Sequence, residues 1–182
     1  MRSRKVAGVA VMTALATASA YATAAIPNVT LMDVVVFVSG WILGAAGGAT
    51  VGCLSWVVYG LLNPYGFNLV VWVATTSCEA LYGLAGGLAR RLAPHPLGRS
   101  ADGAAMLGAL GFACTFTYDV ITNAAFALAF NVPLLTALAL GAPFALVHEV
   151  SNFLLFALVA PPALRAVGSL TLPRPLSGGG GW

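Results

Sequence analysis

Glu79, Asp119, His148, Glu149 and Asn152 are ionisable or amide side chains set in runs otherwise made of Val, Leu, Ala, Gly and Phe. Burying such a group in hydrocarbon costs about 2.5–3.5 kcal/mol on insertion scales, so it usually serves a purpose. Their neighbours recur at helical spacing. Asn68, Trp72, Thr75, Thr76 and Glu79 fall within one helical face. Thr115, Tyr118, Asp119, Thr122 and Phe126 make a second face, with Asn123 one turn from Asp119. His148 and Asn152 are one turn apart on a third, with Glu149 beside them. Two uses fit these groups. They can bond one another and brace a helix bundle, or they can line a cavity for a polar solute. A bundle needs one or two polar links, whereas here three successive segments each present a carboxylate among amide, hydroxyl or aromatic partners. The number favours a cavity, and carboxylates with aromatics suit an organic solute with a planar or cationic part.

Other chemistries lack their residues. His148-Glu149 has no second His at zincin spacing, and the only other one, His95, is in a different segment, so no metal site is expected. Phe144-x-x-x-His148 and His148-x-x-x-Asn152 resemble two pieces of the CAAX-type intramembrane protease pattern. The paired glutamates that would activate water are missing, which leaves an intramembrane enzyme as an alternative only. Cys53, Cys78 and Cys114 are odd in number, lie in apolar runs and read as reduced packing residues. There is no phosphate-binding loop and no dinucleotide fingerprint, so no cofactor is expected. Any active transport must draw on another subunit or an ion gradient.

The elements that must hold these side chains are membrane helices. Of the 182 residues, 60% are hydrophobic and 7% charged, and the mean hydropathy is +0.94. A soluble domain of this size needs far more polar surface. The pattern predicts an all-α bundle of six transmembrane helices over 1–162, followed by a Pro/Gly-rich, disordered tail over 163–182. The first span runs from Val6 to Ala25. It also has the composition of a signal peptide, but is long enough to cross a bilayer and is read as a retained helix. An outward loop covers Ile26 to Asp33. The second and third spans share Val34 to Leu62, with a turn near Ala45 to Gly48. The fourth runs from Asn68 to Ala89, the fifth from Gly103 to Phe130, and the sixth to Ala160, where Pro161-Pro162 ends it.

The basic residues set the orientation. Arg2, Arg4, Lys5, Arg90, Arg91, Arg99, Arg165 and Arg174 all fall in segments that alternate to one side. Lys and Arg near a span resist translocation, so that side is cytoplasmic and both termini are inside. The net charge of +3 then reflects orientation and does not point to nucleic acid. Gly40, Gly44, Gly48 and Gly52 repeat every fourth residue, as small residues do where helix backbones approach closely. Ala14 with Ala18, Ala16 with Ala20 and Ala18 with Ala22 form overlapping small-residue pairs on the first span.

With this arrangement in view, the chain resembles the substrate-binding S component of an energy-coupling factor (ECF) vitamin transporter. The likeness covers roughly residues 5 to 160. It rests on the six spans with a basic inner loop after the fourth, the loop Ile26-Pro-Asn-Val-Thr-Leu, the Gly40/Gly44/Gly48/Gly52 run and the segment Tyr118-Asp-Val-Ile-Thr-Asn123. The resemblance implies a multi-pass protein of a prokaryotic cell membrane that captures a vitamin or precursor at its outer face, without ATPase activity of its own. It implies partners: a transmembrane coupling subunit and two ATPases. Docking on the coupling subunit would use Ala14, Ala18 and Ala22, and the whole component would topple in the membrane to carry its site inward. The expected ligand site is Trp72, Thr76, Glu79, Tyr118, Asp119, Asn123, His148, Glu149 and Asn152, with Asp33 and Asn63 at loop edges. A self-contained small transporter remains the other alternative, but it predicts inverted repeats, and none relates residues 1–90 to 91–182.

Overall fold

The computed structural model describes residues 2–64, 66–92 and 100–171. Arg99 and Arg174, with the expected inner loop and most of the expected tail, lie outside the described residues. Within them every regular element is a helix: α1 (Arg2–Thr23), α2 (Met32–Leu43), α3 (Ala45–Leu61), α4 (Leu69–Leu92), α5 (Ala101–Phe130), α6 (Leu134–Leu158) and α7 (Ala160–Thr171). Four helices are long and apolar enough to cross a membrane; α2 and α3 are shorter apolar helices. Large apolar side chains face outward, as at Leu128, Leu135 and Leu158, while Asp33, Glu79 and Asn152 are buried. That inversion of the soluble pattern, with the apolar helices, marks a membrane-embedded protein.

Helices α1 to α6 run alternately up and down. At one end Tyr21 of α1 stacks edge-on against Tyr59 of α3, and its hydroxyl donates to the Leu62 carbonyl. At the other end Gly8 of α1 lies against Leu43, and Arg90 of α4 donates to the carbonyls of Trp41 and Ile42 at 2.7 and 3.1 Å. Those carbonyls have no partners within α2, so the guanidinium caps that helix end. Arg90→Gln should lower the thermal midpoint by a few degrees, for a loss of about 1 kcal/mol at this exposed site. Arg91→Gln should change it little. Scanning calorimetry in detergent checks this, and equal midpoints would remove the cap.

The turn between α2 and α3 is a single residue, Gly44, with φ of 83°, rather than Ala45 to Gly48. Only glycine adopts that conformation without strain. Gly47 and Gly48 stay helical because Gly48 is needed elsewhere: a Cβ there would strike Gly40 and the Gly83 carbonyl. Gly40, Gly48 and Gly83 thus bring the backbones of α2, α3 and α4 into contact. Helix α2 is only 12 residues, about 18 Å, and short of a bilayer core.

Asp33, read from sequence as a loop edge, is in the first turn of α2 and 2% exposed. The expected disordered tail from 163 is helical to Thr171 instead. Pro161 and Pro162 stand in the first turn of α7, where a missing N–H costs nothing, so they start a helix rather than end the ordered chain.

Candidate functional site

A cavity of about 640 Å³ opens among the ends of α1 to α6 remote from Arg90. That volume suits a ligand of one or two ring systems. The loop after α1 forms one wall, pinned by Asn28, whose Nδ2 donates to the Phe144 carbonyl at 3.1 Å. Asn28 itself has a φ of 59°, a left-handed conformation that Asn tolerates better than most residues.

Helix α6 supplies the floor. His148 has one ring nitrogen 3.0 Å from Asp119 Oδ1 of α5 and the other 3.1 Å from Asp33 Oδ2 of α2. Three helices therefore meet through one imidazole. Asn152 Nδ2, one turn further, donates to Asp33 Oδ2 at 2.5 Å and to Thr115 Oγ1 at 2.7 Å. Thr115 gives its own proton to the Gly111 carbonyl, so Tyr82 must be the donor in the 3.0 Å bond between their hydroxyls. This packed layer closes the cavity below.

Helices α3 and α4 supply the opposite side. Trp56 Nε1 donates to Glu79 Oε2 at 2.9 Å. The Trp56 ring meets Tyr59 edge-on at 5.2 Å and lies 6.4 Å from Tyr118, whose ring in turn stands edge-on to His148. Aromatic walls above a polar floor fix how a planar ligand can enter. At the far rim Asn123 donates to the Asp119 carbonyl and occupies space that Gly141 leaves open. A Cβ at Gly141 would collide with the Asn123 side chain.

Of the residues expected from sequence, Glu79, Tyr118, Asp119, Asn123 and His148 come together around the cavity. Asn152 is buried beneath it, in the bracing layer. Trp72, Thr76 and Glu149 do not line it. Successive helical residues are about 100° apart, so Thr76 is turned away where Thr75 faces in, and Glu149 is turned away where His148 faces in. Trp72 packs over Gly60 and beside Phe67, 6.0 Å between rings. Asn68, placed on the same face by spacing, caps α4 by accepting from the amides of Val70 and Val71.

Sequence reading left Trp56 and Tyr59 out of the site and set Asp33 at its edge. The signal for Asp33 was present: a carboxylate opening an apolar run is a helix-start pattern. Trp56 gave none, since one Trp in an apolar span reads as packing or lipid contact. Among the described residues no group of His, Cys, Asp and Glu has metal-holding geometry. Ala14, Ala18 and Ala22 are exposed on α1, whereas Ala16 and Ala20 are buried. Compared with family models, with curated proteins and with solved structures, the chain matches none.

Proposed function

We propose that this chain is the substrate-binding S component of an ECF-type vitamin importer. In this reading its six helices all cross a prokaryotic cell membrane, α2 and α3 as a short glycine-packed hairpin, with both termini in the cytoplasm. One observation carries the reading: a cavity of about 640 Å³ with aromatic walls and a polar floor, at the end of the bundle away from the basic residues. Basic residues mark the inner side, so the cavity faces outward, where a solute is captured. The chain has no nucleotide-binding loop, and partner ATPases would supply the energy through a coupling subunit. The exposed Ala14, Ala18 and Ala22 stripe offers that subunit a flat face on which helix backbones can approach closely.

The purified chain should bind one vitamin or precursor yet fail to accumulate it in vesicles until the partner subunits are added. Accumulation by the chain alone, driven by an ion gradient, would sink the assignment. Asp119→Ala should weaken that binding by roughly tenfold or more, about 1.4 kcal/mol. Cys114→Ala, on the same helix and outside the cavity, should leave it within about twofold. Equal effects of the two would mean that the polar residues only brace the bundle.

A further inference from the structure

The cavity carries more negative charge than its own side chains neutralise. Asp33, Glu79 and Asp119 all line it, and His148 is the one basic side chain among its described lining residues. The two nitrogens of His148 already face Asp119 and Asp33. A neutral imidazole has a single N–H, so holding both carboxylates takes one proton more, which makes the ring in effect an imidazolium. Three carboxylates against that one cation leave two negative charges. Even with a proton bound on one of the three carboxylates, one negative charge is left.

Two acceptors are also left over. Glu79 Oε2 takes the Trp56 N–H, but Oε1 has no hydrogen-bond partner among the described residues. Asp119 Oδ1 takes His148, but Oδ2 has none. The two residues are 1% and 6% exposed, so bulk water does not routinely satisfy them. Buried polar groups in native proteins are almost always hydrogen-bonded, and a bare exception in a cavity points to a missing donor. Trp56, Tyr59 and Tyr118 add ring faces that attract a cation.

From these observations we infer that the cavity selects a planar solute bearing positive charge and N–H donors, received by Glu79 and Asp119, and rejects carboxylate- or phosphate-bearing analogues of the same ring. His148 is a positioning residue: it holds one oxygen of Asp119 and leaves the other for the ligand. Rejection follows because an anion would enter beside carboxylates that have no spare counter-ion, and like charges set together in a desolvated site are unfavourable. The inference rests on the capture reading above and names its substrate class.

The test uses the full-length chain in detergent, freed of copurified small molecules. It is titrated with charge-graded sets built on one ring: the ring-methylated nicotinamide cation, nicotinamide and nicotinate; pyridoxamine, pyridoxine and pyridoxic acid; thiamine and its neutral product thiochrome. In at least one set the cationic member should bind about tenfold or more tighter than the neutral one, and the anionic member should not compete. Glu79→Gln and Asp119→Asn should each shrink that cation-over-neutral ratio toward one, a change that a merely bracing role would not produce. The wild-type ratios stand even where a variant folds poorly. A neutral or anionic member bound as tightly as its cation overturns the charge assignment and leaves the capture reading in place. So does an anionic vitamin released from the freshly purified protein. Failure of every cationic probe also overturns it. Vesicle accumulation by the chain alone strikes the capture reading instead and leaves the charge preference untouched.

Discussion

Gly83→Val should leave no monodisperse protein after purification. A Cβ at Gly83 would come within 2.5 Å of the peptide group joining Gly48 to Ala49, and a Cβ at Gly40 would strike the Gly83 carbonyl in return. These are backbone atoms of neighbouring helices, so no side chain can swing aside. Overpacking a well-filled core costs about 1–3 kcal/mol where rotamers can adjust; here the helices themselves must part. Gly83→Ala should already lower the thermal midpoint, and valine should exceed what the fold can absorb. Gly8→Ala is the control, because its added methyl meets only the end of the Leu43 side chain at 3.0 Å. Size-exclusion chromatography and thermal unfolding read both. A valine variant with a wild-type midpoint would mean that α2, α3 and α4 do not cross at these glycines.

Asp33→Ala should do the second-largest damage, to stability and to binding together. Asp33 Oδ2 accepts from both His148 Nε2 and Asn152 Nδ2 in a site 2% exposed. Removing it takes the acceptor from His148 Nε2 and from one N–H of Asn152, and takes one of two counter-charges from the imidazole. Breaking a buried pair from one side costs about 3–5 kcal/mol when the remaining group is left unpaired. Here Asp119 still holds His148 and Thr115 still holds Asn152, so the loss should fall below that range. The floor of the cavity would then lose the link that ties α2 to α6. Asp33→Asn keeps an oxygen to accept one bond and should fall between wild type and alanine. Comparing midpoints and ligand affinity across the three proteins checks the order. Alanine and asparagine variants that behave like wild type would show that the His148 layer does not hold the bundle.

Residue types and spacing alone determined that this chain is helical and membrane-embedded, because hydropathy and period are local properties. The faces of Glu79, of Asp119 and of His148 were likewise visible, since a helix repeats every 3.6 residues whatever it packs against. Spacing could not decide which edge of each face turns inward. A face is about a third of a helix wide, and only the neighbouring helices determine that Thr75 and Glu79 meet the cavity while Trp72 packs over Gly60 of α3 and Thr76 does not line the cavity. Asp33 and Trp56 are distant in sequence from the residues they touch, His148 and Glu79, and such partnerships are made by tertiary packing alone. The turn at Gly44 shows the same division. A glycine-rich stretch announced a reversal, but which glycine bends was decided by Gly48 being required against Gly40 and Gly83.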